Sequence, residues 1–255
     1  MEFLYNTKIT IFGDSISKGL YLDGGKIERV TPSAVDYLKN LGLNIDNKSV
    51  FGQTLKRVVD KGAIEKYLSE INMQDENMVV ISLGGNDSDY NWNEVEMFPA
   101  SFHSPKTSLS EFGEILSDTI FKLRSFGVQV VVCSLFPMDS NKYFKNVLSK
   151  KYDGKKILEF LKCDVQNIAR HQELFNIECL KNSLKTDAIF LDYRSAFLNL
   201  NNYLDFVCDD GIHPNEMGQK MIADFVFSKI CNNNNYQFCL RNMSNNFRLK
   251  NENLQ

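Results

Sequence analysis

Hydrophobic positions in this chain follow two rhythms. Short, nearly continuous apolar runs occur at Ile9-Thr10-Ile11-Phe12, at 77–83, at 128–135 and at 188–192. Such runs predict strands buried on both faces. A polar-laced run at 43–50 predicts a further strand near a sheet edge. Between the strands, apolar residues recur at helical spacing. Leu55, Val58, Val59, Ile64, Tyr67, Leu68 and Ile71 form one stripe, and Phe112, Ile115, Leu116, Ile120 and Leu123 a second. Met217, Met221, Ile222, Phe225, Val226 and Ile230 form a third.

Local punctuation agrees with this alternation. Ser108-x-x-Glu111 is a capping box, Gly127 a helix stop, and Asn215 a candidate cap for the last helix. After the first strand, 21–25 reads as a loop and 26–40 as a helix ending near Gly42, with Pro32 blurring its start. Residues 88–106 and 136–151 lack a clear period and read as irregular inserts; interrupted helical sequence then runs to Leu184. Strands alternating with helices predict an α/β fold, a five-stranded parallel sheet covered on both faces. The flavodoxin-like arrangement suits the length, although the sequence does not fix strand order. Residues 1–231 read as one domain, and the Asn-rich, polar 232–255 as a frayed or appended tail.

Composition narrows the function classes. The 255 residues are 43% hydrophobic and 24% charged with a net charge of −3. That balance suits a soluble globular protein and argues against nucleic acid as a partner. No apolar stretch approaches the roughly 20 residues of a membrane span. The N-terminus has an early acid and no apolar core, so it does not read as a signal peptide. The six cysteines are scattered, without Cys-x-x-Cys or zinc spacing, which predicts buried reduced thiols, a cytoplasmic setting and no metal.

The chemistry gathers at strand ends. Gly13-Asp14-Ser15 closes the first strand, Gly52 follows the second, and Gly84-Gly85-Asn86-Asp87 closes the third. Each alone reads as a turn or a helix cap. Together, at one edge of a parallel sheet, they could offer a nucleophile, a backbone amide and a carboxamide for an oxyanion. A base must come from three histidines. His213 has Asp210 three residues before it, and Asp209 next to that; either carboxylate could reach the imidazole. His171, in Arg170-His171-Gln172-Glu173, reads as solvated, and His103 lacks an adjacent carboxylate. Tyr90, Trp92 and Phe98 could stack on a substrate or form a small core of their own loop.

Gly13-Asp14-Ser15, Gly52, Gly84-x-Asn86-Asp87 and Asp210-x-x-His213-Pro214 resemble, in order, the sequence blocks of the SGNH hydrolases, or GDSL esterases and lipases. Ile16 stands where that family usually has Leu. The resemblance implies a three-layer αβα sandwich and a triad of Ser15, His213 and Asp210. It implies an oxyanion hole of the Ser15 and Gly52 amides and the Asn86 side chain, with no cofactor. It also implies a serine esterase for small or carbohydrate-borne O-acyl esters, acetyl foremost. A lysophospholipase or thioesterase, or an acyltransferase on the same fold, are the alternatives. No amphipathic membrane-docking helix is evident, which counts against a lipid substrate. The resemblance is silent on 136–151, the tail and the oligomeric state.

Overall fold

The computed structural model of the protein describes residues 6–231; the predicted tail lies outside them. The chain opens with β1 (Lys8–Gly13) and the one-turn helix α1 (Ser15–Lys18). Next comes an antiparallel hairpin, β2 (Leu20–Asp23) and β3 (Lys26–Arg29), and then α2 (Ala34–Asn40). The helix expected over 26–40 is therefore only half its predicted length. Gly24 and Gly25, with φ of 55° and 85°, make the two-residue turn that a hairpin favours. The helix begins only after Pro32, where Ser33 and Asp36 complete a reciprocal capping box.

The edge strand β4 (Ile45–Asn47) follows. The next stripe divides into α3 (Leu55–Asp60) and α4 (Ala63–Glu70), because Gly62 between them takes a left-handed φ of 65°. Then come β5 (Asn77–Ser82), α5 (Trp92–Met97), α6 (Leu109–Ser125) and β6 (Gln129–Cys133). Ser108 caps α6 through the Glu111 amide at 3.3 Å. The Glu111 carboxylate instead lies 3.3 Å from Lys56 Nζ.

The insert at 136–151 is helical rather than irregular. Asp139 caps α7 (Ser140–Tyr143), which runs through a π-turn at Phe144–Leu148 into α8 (Ser149–Lys151). The chain continues with α9 (Gly154–Phe160), α10 (Gln166–Thr186), β7 (Ile189–Leu191), α11 (Tyr193–Leu198) and α12 (Glu216–Cys231). Asn215 does bond the Gly218 amide at the start of α12 (3.0 Å). Met217, expected to face inward, is 55% exposed.

All five strands of the main sheet pair in parallel, in the order β4-β1-β5-β6-β7. This is the flavodoxin-like order, with helices on both faces. Side chains alternate across it: Phe12 joins Leu55, Ile64, Phe112 and Phe175 on one face. Ile9 and Ile11 join Val35, Phe197 and Ile222 on the other. A third cluster built on Trp92, Val95, Tyr143 and Ile157 sits apart from both. Free Cys133, Cys179 and Cys208 are buried as expected, but Cys163 is exposed. Among the described residues no helix is long and apolar enough to cross a membrane.

Phe112, fully buried against Phe175 at a ring distance of 5.2 Å, tests the larger core. Phe112→Ala should cost about 3–5 kcal/mol in urea unfolding. Leu184→Ala, at a site 74% exposed, should stay within about 0.5 kcal/mol.

Candidate active site

The carboxyl ends of β1 and β5 bring the first and third motifs side by side. Asp14 caps α1 by accepting the Ile16 amide (2.9 Å), so Ser15 begins the helix. The loop after Phe206 closes on itself: the Cys208 amide bonds the His213 carbonyl (2.8 Å) and Gly211 N–H bonds the Cys208 carbonyl (3.0 Å). Within that loop Asp210 Oδ1 accepts the amides of Ile212 (2.9 Å) and His213 (3.0 Å). Its Oδ2 accepts the Leu22 amide from the hairpin (2.8 Å) and lies 2.5 Å from His213 Nδ1. His213 Nε2 is 2.8 Å from Ser15 Oγ.

With a carboxylate facing Nδ1, that nitrogen carries the proton and Nε2 is left to accept from the serine hydroxyl. Ser15, Asp210 and His213 are all buried, and the Phe51 ring stacks on the imidazole at 6.1 Å. Burial alone would raise the Asp210 carboxyl. The His213 hydrogen bond and charge, with the Ile212 and Leu22 amides, outweigh it and hold the carboxyl below its ordinary value. Asp209 points away: its side chain is 97% exposed, 3.8 Å from Lys142 Nζ.

A cavity of about 250 Å³ opens onto this constellation, and Ser15, Gly52, Asn86 and His213 all line it. Gly52 holds a left-handed φ of 68°, which an L side chain rarely adopts. Asn86 Nδ2 donates to Asp14 Oδ2 at 3.3 Å; its second N–H has no partner among the described residues. The neighbouring Asp87 fixes the geometry between these two motifs. Its fully buried carboxylate accepts the Leu55 amide (3.1 and 2.9 Å) and the Thr107 hydroxyl (2.8 Å). It thus ties the segment after Gly52 to the strand end that carries Asn86. Burial raises the Asp87 carboxyl despite these donors.

The aromatic residues of the long loop divide. Tyr90 lines the cavity. Trp92 is core: its Nε1 donates to Asp89 Oδ1 (2.8 Å) and Tyr143 Oη (3.2 Å). Phe98 is 61% exposed and outside the cavity. His171 is not solvated as expected; it stacks on Tyr90 at 5.0 Å, and burial lowers its pKa. His103 Nε2 pairs with the Phe98 carbonyl (2.9 Å), away from Ser15.

Two contributions had no sequence signal. Lys106 pairs with Asp89 (2.7 Å) at the cavity wall, in a stretch without periodicity. The insert is bound to the His213 loop: Asp139 N–H donates to the Gly211 carbonyl (2.7 Å) and Asn146 Nδ2 to the Asp209 carbonyl (2.7 Å). A Cβ on Gly211 would lie 2.4 Å from the Tyr143 nitrogen and 2.5 Å from the Asp139 carbonyl oxygen. Among the described residues no group of three or more His, Cys, Asp or Glu is arranged to hold a metal ion.

Comparison with known proteins matches residues 9–226 to the family model described as GDSL-like lipase/acylhydrolase. No curated protein matches the sequence. Among solved structures, similarity extends to a variant of an acetyl-xylooligosaccharide esterase from Geobacillus Stearmophilus. That pair has a TM-score of 0.59 at 17% identity, covering 91% of this chain and 97% of the other. A lipolytic G-D-S-L protein from Veillonella parvula aligns with a TM-score of 0.58 at 15% identity, over 87% and 97%. The psychrotrophic esterase EstA from Pseudoalteromonas sp. aligns with a TM-score of 0.53 at 18% identity, over 88% and 96%. These likenesses describe the fold.

Asp14 offers a test of the site's electrostatics. Burial, reinforced by the Asp87 charge, pushes its carboxyl up to about 6, against partial relief from the Ile16 amide, His213 and Asn86. The folded chain therefore holds this proton more tightly than the unfolded one. The resulting stabilisation is complete below about pH 4 and is lost as pH rises through about 6. Relative to Asp14→Asn, the parent should lose roughly 2–2.5 kcal/mol between pH 4 and 7. Urea unfolding of both proteins at each pH reads the difference; a flat difference would show that Asp14 does not titrate there.

Proposed function

Because the chain belongs to the GDSL-like lipase/acylhydrolase family, we propose that it is a serine-dependent carboxylic-ester hydrolase working through an acyl-enzyme. The observation that carries this reading is the continuous relay from Ser15 Oγ through His213 to Asp210, at 2.8 and 2.5 Å. Ser15 attacks the ester carbonyl as His213 Nε2 takes its proton, and Asp210 stabilises the imidazolium. The Ser15 and Gly52 amides and the free N–H of Asn86 receive the oxyanion. Collapse of the tetrahedral adduct expels the alcohol, which takes the proton from His213. Water then attacks the acyl-enzyme with His213 again as base, releasing the acid and restoring Ser15.

For substrate, we favour short O-acyl esters, acetyl foremost, carried on a small molecule or a carbohydrate. The cavity, at about 250 Å³, lies below the roughly 300–1,000 Å³ of sites that enclose drug-sized ligands. The similar acetyl-xylooligosaccharide esterase points the same way. A second reading, lysophospholipase or thioesterase, is favoured by the apolar residues Leu135, Phe136, Met138 and Ile168 in the cavity wall. An ester panel from acetyl to long-chain acyl separates the two: kcat/KM falling with chain length supports the first.

Ser15→Ala should lower kcat by roughly 10⁴-fold or more, since nothing else in the site replaces the nucleophile. Asn86→Ala should lower kcat by roughly 10²–10³-fold with KM nearly unchanged, because its contact forms with transition-state charge. A raised KM at constant kcat would make Asn86 a ground-state binding residue.

The adjacent acids give a sharper test. Asp210→Asn should cut kcat severely, since an amide cannot stabilise imidazolium as a carboxylate does. Asp209→Asn should change it by no more than a few-fold, about the effect of losing a solvated charge. The reverse order, measured as kcat/KM on one acetyl ester, would overturn the triad.

A further inference from the structure

The lysines of the insert have no role in the proposed chemistry. Between 145 and 162 there are six lysines, at 145, 150, 151, 155, 156 and 162, against Asp153 and Glu159. This 18-residue stretch carries +4 in a chain whose net charge is −3. All six are exposed, and none forms an ion pair among the described residues. The acids nearby do not neutralise them: Asp153 caps the Lys155 amide (2.9 Å) and Asp164 pairs with Arg170 (2.7 Å).

Alongside these lysines runs an apolar edge. The Asp153 amide donates to Glu96 at the end of α5, and the His103 ring meets Phe160 at 5.4 Å. The loop between therefore follows α9 from its first residues to its last. It exposes Met97 (59%), Phe98 (61%) and Phe102 (90%). Exposed large apolar side chains beside a cluster of cations without acidic partners, Lys151 over the Tyr152 ring at 5.2 Å among them, fit an interface that is itself apolar below and anionic above. Segments next to these elements, at Tyr90, Tyr143 and Val147, line the cavity.

We infer that this lip, formed by α8, α9 and the 97–102 loop, docks the protein on an anionic lipid surface. The lysines face the headgroups, and Phe98 and Phe102 enter the interface. In the sequence its lysines are interleaved with core residues such as Leu148 and Ile157 and never form a long run.

Docking does not require catalysis, so the test uses a Ser15→Ala background, which also leaves the lipid intact. Co-sedimentation is measured with vesicles of phosphatidylcholine containing about one-third phosphatidylserine, and with phosphatidylcholine alone. The protein should bind the anionic vesicles and release as salt shortens the screening length below about 10 Å. Lys150→Gln, Lys151→Gln, Lys155→Gln and Lys156→Gln together should weaken binding about 10²-fold or more, from roughly a tenfold loss per two charges or less. Phe102→Ser should weaken it about tenfold. With Ser15 restored, both variants should keep the parent's kcat/KM on a soluble acetyl ester.

Absence of binding to the anionic vesicles at low salt would overturn the inference. So would binding that the lysine variant leaves unchanged. Retention on immobilised heparin without vesicle binding would assign the patch to a soluble polyanion instead. Since binding is read without turnover, an inactive parent enzyme would count against the esterase reading and not against docking.

Discussion

The Asp210 carboxylate is the constraint around which this site is assembled. At 2% exposure it has little access to water, and an ionised group so placed must find its partners within the protein. It has four: three backbone amides and an imidazole. Two amides come from its own loop, which curls tightly enough to deliver them. The third comes from Leu22, almost two hundred residues earlier in the chain. Satisfying one buried charge thus fixes the position of His213, and through it the approach to Ser15. The hairpin next to β1 serves as part of that support.

Two other carboxylates lie buried at the same sheet edge, and their surroundings act differently. Asp14 and Asp87 are both raised, chiefly by burial, whereas donors hold Asp210 low. Three acids of one chemistry therefore occupy different electrostatic positions within one neighbourhood. Asp210, held low, faces His213 Nδ1 as a carboxylate. Asp87 uses its oxygens as a clamp between the segment after Gly52 and the turn that carries Asn86. Asp14 accepts from Asn86 and so sets where that carboxamide's other N–H can point.

Much of this was legible in the chain. The central strands announce themselves because burial on both faces leaves continuous apolar runs, as at Val79-Val80-Ile81. Ser15, Gly52 and Asn86 stood out as candidates because each follows a strand end, and Asp210 and His213 through their three-residue spacing. Other features depend on tertiary context. Residues 20–29 form a hairpin whose signal, Gly24-Gly25, is equally the signal of a loop. The stripe from Leu55 to Ile71 keeps helical spacing across a break that only the left-handed Gly62 reveals. Trp92 could not be assigned to core or site because its partners, Asp89 and Tyr143, come together only in the fold. His171 looked solvated by its charged neighbours along the chain, yet its contacts are with Tyr90 and Phe175 across space.

Gly211 carries a further consequence. Backbone atoms from Asp139 and Tyr143 occupy the place a side chain would take, and the left-handed φ of 77° disfavours one on its own account. A larger residue there would have to move either the His213 loop or the first turn of the insert. The insert is therefore no detachable ornament that a related chain could lose at little expense. Its first turn meets main chain two residues from His213, so the surface outside the cavity and the imidazole are joined by a short run of backbone contacts.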